Sequence, residues 1–270
     1  MPKILVKDVK IYYETLGEGE PICLIMGWGG SSVIWYRQRE MLAKSYKVIL
    51  IDNRGTGRSS KPKYPYTMQM FVDDVKAVLD HLNISKLHLM GCSMGGMISQ
   101  QFALTYPDML SSLILCCTAA STKMPNVNDV DPEKLFIMTE VTPESLRSMF
   151  SLIFTTKYID WLFSDDGRAE FNKLIIEMAK YPPTMKGMKN QFSAIQDHDV
   201  VNRLGEIKIP TLILVGKNDV LLPPRNSKII HKNIANSELQ ILEGGHMFWI
   251  EAEKEFNKAV IDFLSKHKIN

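Results

Sequence analysis

The chain lacks a dominant charge. Its 270 residues carry 32 Lys and Arg against 30 Asp and Glu, a formal net charge of +2. That balance offers no electrostatic footprint for nucleic acid or an anionic membrane surface, and no block of like charges compensates for it. Cysteine is scarce. The four present are Cys23, Cys92, Cys116 and Cys117, all in or beside apolar, strand-like segments. None stands at zinc-type spacing with histidine, and the pattern is not a disulfide framework, so four reduced, buried thiols are expected. Cys116 and Cys117 are neighbours, which in a strand sends them to opposite faces. No apolar run reaches membrane-spanning length. The N-terminal Met-Pro-Lys-Ile-Leu-Val-Lys-Asp has no long apolar signal region, and the expectation is a soluble, cytoplasmic protein. Internal repeats and low-complexity tracts are also missing.

What remains is an ordinary globular composition, 45% apolar and 23% charged, of a length that fits one large α/β domain with an inserted subdomain. Ile4–Val6 and Ile11–Thr15 alternate as short strands. Ile22–Met26, Val48–Ile51, Leu87–Cys92, Leu113–Cys117 and Thr211–Val215 are near-continuous apolar runs, suited to strands covered on both faces. Between them fall helical stretches: Val33–Lys44, capped by Ser31 or Ser32; Met68–Leu82, capped by Thr67; and Met97–Thr105, ending near Tyr106-Pro107. From about Met124 to Gln196 the alternation breaks and only helices are expected, among them Asp131–Thr139, Thr142–Phe154 and Arg168–Lys180, with Pro182-Pro183 as an interruption. Alternation resumes at Pro210, with helix Pro224–Ile234, strand Glu238–Leu242 and helix Met247–His267. Such alternation implies a mainly parallel sheet with helices on both faces. Ligands bind beyond the carboxyl ends of such strands. The expected division is a core of residues 1–123 and 197–270, with residues 124–196 folded over the site as a helical cap.

Gly91-Cys92-Ser93-Met94-Gly95 stands between an apolar strand and a helix. This is the context of a nucleophile elbow, where a sharp, strained turn projects a serine hydroxyl. Gly91 and Gly95 fall where a Cβ would collide with the neighbouring elements. A serine needs a base, normally a histidine held by a carboxylate, in the order Ser, Asp/Glu, His. Of six histidines, His246 fits best, in Glu243-Gly244-Gly245-His246 after a strand. His81 and His88 precede Ser93, His231 is mid-helix and His267 is terminal; His198 is the one rival. Asp219, in Gly216-Lys217-Asn218-Asp219 after the Thr211–Val215 strand, is the natural acid. Asp197 and Asp199 are weaker choices, and the loop Thr118–Thr122 holds no carboxylate. An oxyanion hole needs two N–H donors. Met94 supplies one, and Trp28, in Gly27-Trp28-Gly29-Gly30, is chosen for the other.

Asp52-Asn53-Arg54-Gly55-Thr56-Gly57-Arg58-Ser59 lacks the Gly-Lys-Ser/Thr ending of a phosphate loop and reads as a structural turn with an Asp–Arg network. Cys92, beside Ser93, reads as packing. Six of the sixteen methionines, including Met149, Met178, Met185 and Met188, fall in or near the insert, as core or as an adaptable pocket.

The elbow, the Asp52–Ser59 stretch, Gly-Lys-Asn-Asp219 and Gly-Gly-His246 together resemble the α/β-hydrolase family over nearly the whole chain. The resemblance implies an eight-stranded, mostly parallel sheet with an inserted helical cap. Ser93-Met-Gly-Gly-Met97 and Leu115-Cys-Cys-Thr-Ala-Ala120 look like the branch of 3-oxoadipate enol-lactonases and small carboxylesterases. Many members carry His-Gly before the oxyanion residue, where this chain has Met26-Gly27. Members with an Asp nucleophile are argued against by Ser93. The expected activity is hydrolysis of a carboxylic ester or lactone through an acyl-enzyme on Ser93, with no metal or organic cofactor. The expected partner is a small-molecule ester or lactone, with neither nucleic acid nor membrane. An enol-lactonase with Arg147 or Arg168 holding a dicarboxylate, a carbon–carbon bond hydrolase or an amidase, and a small-molecule receptor with negligible turnover stay open as alternatives.

Overall fold

The structure is a computed structural model that describes residues 2–123 and 142–269. The apolar runs become strands β3 (Glu20–Ile25), β4 (Tyr46–Ile51), β5 (Leu87–Cys92), β6 (Leu110–Cys116) and β7 (Thr211–Gly216). Two short strands, β1 (Lys3–Val6) and β2 (Val9–Leu16), precede them, and β8 (Ser237–Leu242) follows. All eight form one sheet in the order β1-β2-β4-β3-β5-β6-β7-β8. β1 and β2 are antiparallel to their neighbours, and every pairing from β4 through β8 is parallel. The most continuous apolar strands lie centrally, whereas edge strand β8 is only half-buried.

Alternate residues of each strand enter two separate cores. Cys23, Ile25, Ile49, Ile51 and Leu89 pack with α2 (Met68–His81) and α3 (Met94–Thr105). Ile22, Leu24, Val48, Leu50 and Met90 pack on the other face with α10 (Glu253–Lys266). This is the period of two expected of a pleated strand buried on both sides. Thr67 caps α2 by accepting from the Met70 N–H at 3.3 Å.

Between β6 and β7 lie the helices α4 (Pro143–Ile153), α5 (Thr156–Leu162), α6 (Arg168–Ala179) and α7 (Met185–Asp197), with an isolated antiparallel bridge between Ser121 and Asp199 at their base. The expected helix Asp131–Thr139 lies outside the described residues. Phe150, Ile159 and Leu174 of this insert join the second core, whereas Ala194 and Ile195 of α7 join the first. The insert thus straddles the carboxyl edge of the sheet. α8 (Pro224–Asn233) connects β7 to β8.

Three local expectations are corrected. The helix expected over Val33–Lys44 is a 3₁₀ turn, Ser32–Trp35, followed by the short α1 (Gln38–Leu42). Its serines do not cap it. Ser31 makes no side-chain cap bond, and the Ser32 N–H and hydroxyl both donate to Asp52 Oδ1, at 2.8 and 2.7 Å. The buried carboxylate outcompetes a local cap because a charged acceptor makes the stronger bond. The terminal helix is split at Ala252 (φ −110°, ψ 47°) into α9 (Phe248–Glu251) and α10. Finally, β6 ends at Cys116, and Cys117 turns into the left-handed region with φ 39°. The two thiols are therefore not on opposite faces of a strand; both pack in the second core. All four cysteines are free and buried, as expected.

Candidate active site

β5 runs straight into Ser93, whose φ of 54° and ψ of −121° are costly for a residue with a Cβ. Close packing holds it there. A Cβ on Gly91 would lie 2.2 Å from the Gly95 carbonyl oxygen, and one on Gly95 would lie 2.2 Å from the Ile25 carbonyl oxygen. The Ser93 N–H donates to the Cys116 carbonyl at 2.9 Å, and Thr118 Oγ1 donates to the Ser93 carbonyl at 2.8 Å. Ser93 keeps partial exposure while the residues on both sides are buried. Met94 begins α3, where backbone N–H groups have no acceptor inside the helix.

Asp219 follows β7 and His246 follows β8. His246 Nδ1 lies 2.8 Å from Asp219 Oδ2, with both side chains almost fully buried. Asp219 Oδ1 accepts from the Leu221 and Leu222 N–H groups, each at 2.9 Å. A carboxylate thus held accepts only, so the Nδ1 proton belongs to His246, and Nε2 is the nitrogen left to accept. The histidine loop is itself fastened. The Gly245 N–H donates to Glu251 Oε1 at 2.7 Å, and Glu251 also takes the Thr155 N–H at 3.1 Å and the Thr155 hydroxyl at 2.6 Å. Burial raises the Glu251 carboxyl above its usual range, against these hydrogen bonds. Glu251 was not singled out by sequence, because its partner in the insert lies far away along the chain.

The Gly27–Gly30 loop abuts the elbow. A Cβ on Gly27 would meet Ser93 Cβ at 2.9 Å and Ser93 Oγ at 3.5 Å. The Trp28 backbone follows directly, and its ring turns to the insert, with Nε1 donating to the Met188 carbonyl at 2.8 Å and a tilted contact with Phe192. The Met26 carbonyl accepts from Asn53 Nδ2 at 2.8 Å. Asn53 belongs to the turn after β4, whose Asp52 takes the Arg58 N–H and Nε at 2.8 Å each. Beside it Arg54 binds both oxygens of Asp74 at 2.7 Å. This is an Asp–Arg network supporting the loop.

The other candidates stand apart. Burial lowers His198 to about 4, and its Nε2 has no partner. His198 shares no hydrogen bond with Asp219, and the Asp197 and Asp199 side chains share none with His246. Cys92 is buried, its thiol pushed up to about 12 and its Sγ 3.2 Å from Met26 Sδ. Arg147 pairs with Asp160 at 2.9 Å and Arg168 with Asp165 at 3.5 Å, both on the exposed side of the insert. Cys117 is the neighbour that sequence missed. Its Sγ, a carboxylate oxygen of Asp219 and a ring nitrogen of His246 lie within 4.8 Å of one another, a metal-ligating type of cluster among the described residues. Two of the three already share a hydrogen bond, which accounts for the convergence without a metal. Burial raises the Cys117 thiol well above its usual range, so it is neutral.

Elbow, carboxylate-bound histidine and facing glycine loop on a mostly parallel sheet define a family. The model of the alpha/beta hydrolase fold matches residues 20–253, and the chain belongs to that family. Among its relatives, the putative carbamate hydrolase RutD of Caulobacter sp. (strain K31) is 28% identical over 261 residues, covering 94% of this chain and 96% of that protein. 3-Oxoadipate enol-lactonase 2 of Acinetobacter baylyi is 27% identical over 259 residues, covering 95% and 94%. The crystal structure of the enol-lactonase from Burkholderia xenovorans LB400 superimposes with a TM-score of 0.85 at 27% identity, over 98% of this chain and all of that one. No helix among the described residues is long and apolar enough to cross a membrane.

Proposed function

We propose that the protein is a serine hydrolase of carboxylic esters or lactones. Ser93 Oγ attacks the carbonyl carbon while His246 Nε2 takes its proton. Asp219 holds the imidazole in that tautomer and stabilises its charged form. The Met94 and Trp28 amides receive the oxyanion. His246 then returns the proton to the leaving oxygen, and water, activated by the same base, releases the acid from the acyl-enzyme. The helices of the insert, α4 to α7, serve as the cap that decides which acyl and alcohol groups enter. The observation that carries this reading is the 2.8 Å bond between His246 and Asp219 on the same sheet edge as the strained Ser93.

The relatives' names favour acyl hydrolysis, and their carbamate and enol-lactone substrates are acyl compounds open to the same chemistry. The dicarboxylate variant is less favoured, since Arg147 and Arg168 are engaged with surface carboxylates. The Asp219–His246 pair favours turnover over a receptor without it. The test is hydrolysis of 4-nitrophenyl esters from acetate to decanoate, with Ser93→Ala alongside. Wild-type turnover that falls by about 10⁴-fold or more in the variant is the expected result. A folded wild type no faster than the variant on every ester overturns the ester-hydrolase reading.

A further inference from the structure

The oxyanion loop is not held by the core alone. Gly29 has both backbone polar groups taken by side chains: Thr56 Oγ1 donates to its carbonyl at 2.9 Å, and its N–H donates to Gln191 Oε1 at 2.9 Å. Gln191 belongs to α7 of the insert and is fully buried. Its other end, Nε2, donates to the Arg54 carbonyl at 2.8 Å. The two partners fix the amide's orientation, because Gly29 N–H can only donate and Arg54 O can only accept. Arg54 is anchored to α2 through Asp74. α7 comes so near the same turn that a Cβ on Gly187 would lie 2.1 Å from the Gly55 carbonyl oxygen. Gly29 itself has φ 68° and lies two residues beyond Gly27, which touches Ser93.

We infer that Gln191 is a positioning residue for the oxyanion loop, coupling the seating of α7 to the angle at which the Gly27–Trp28 backbone faces Ser93. The inference rests on the proposed function. A brace serving packing alone would affect thermal stability and leave turnover intact. A positioning residue acts on the transition state, so its loss lowers kcat and leaves KM nearly unchanged.

The experiment measures kcat and KM on 4-nitrophenyl acetate for wild type, Gln191→Leu, Gln191→Glu, Lys189→Ala and Ser93→Ala. Gln191→Leu removes both bonds, and kcat is expected to fall about ten- to a hundredfold, short of the 10²–10³ for deleting an oxyanion donor, with KM within about threefold. Gln191→Glu adds a sharper readout. As a carboxylate it accepts from Gly29 but cannot donate to the Arg54 carbonyl; as the neutral acid it does both. Its rate relative to wild type should rise as pH falls through the carboxyl's range. Lys189→Ala, exposed on the same helix, should match wild type. Wild-type kcat in both Gln191 variants, or a loss confined to KM, overturns the inference. Should Gln191→Leu not fold, a pH-independent ratio for Gln191→Glu overturns it. A wild type no faster than Ser93→Ala removes the proposed function itself, and this inference with it.

Discussion

The sheet edge and the helical insert are built by different rules. At the edge, the polar groups flanking the site are fixed by backbone or by buried charge: Asp219 by two N–H groups, Ser93 by the Cys116 carbonyl, and the turn after β4 by Asp52–Arg58 and Arg54–Asp74. The insert shows most of its own charges to solvent, Glu170, which pairs with Arg37, being an exception. Arg54 and Asp74 are 4% and 3% exposed, whereas Arg147 and Asp160 are 46% and 63% exposed. The insert meets the site through a few long-range links, Gln191 to Gly29, Trp28 to Met188, and Thr155 to Glu251. On the proposed function, the edge carries the chemistry and the helices above it select what enters.

Three substitutions probe that division. The largest effect belongs to Asp219→Asn. It keeps the shape but offers His246 Nδ1 an amide, so that the ring's proton is no longer held away from Ser93. Ester turnover should drop by about 10³–10⁴-fold with the fold retained, as checked by kinetics and circular dichroism. A decrease below tenfold would mean that another group holds His246. Next comes Asp74→Ala, which leaves the Arg54 guanidinium buried without its partner. It should cost about 3–5 kcal/mol, lowering Tm by roughly 10 °C, and slow turnover through the loop that Arg54 supports. The smallest is Arg147→Ala in the insert. An exposed pair contributes below about 1 kcal/mol, so Tm should move by no more than about 3 °C. Equal losses from Asp74→Ala and Arg147→Ala in thermal unfolding would erase the contrast.

The sequence showed the edge more clearly than the insert. Strand runs such as Leu87–Cys92 and Thr211–Val215 are legible because burial on both faces leaves them almost wholly apolar, with His88 and Thr211 the exceptions. Ser93 and Gly91 are legible because the elbow demands them within five residues. Other features were hidden by distance or competition. The bond from Gln191 to Gly29 and that from Thr155 to Glu251 join side chains far apart in sequence, where no local period carries a signal. The break at Ala252 and the 3₁₀ turn at Ser32 are tertiary overrides of good helical patterns. Cys117 read as the end of a strand, yet the turn out of β6 brings it beside Asp219 and His246.

The strand order has a consequence for how the molecule comes into being. Ser93 and the loop facing it lie in the first half of the chain, on strands adjacent in the sheet, whereas Asp219 and His246 arrive on β7 and β8 after the insert has been made. β7 docks on β6 through pairs such as Leu113 with Thr211, contacts that close a very long loop and therefore form slowly. On the proposed function, the hydroxyl exists during synthesis well before the base that would activate it, and the site is complete only when the last two strands have joined the sheet.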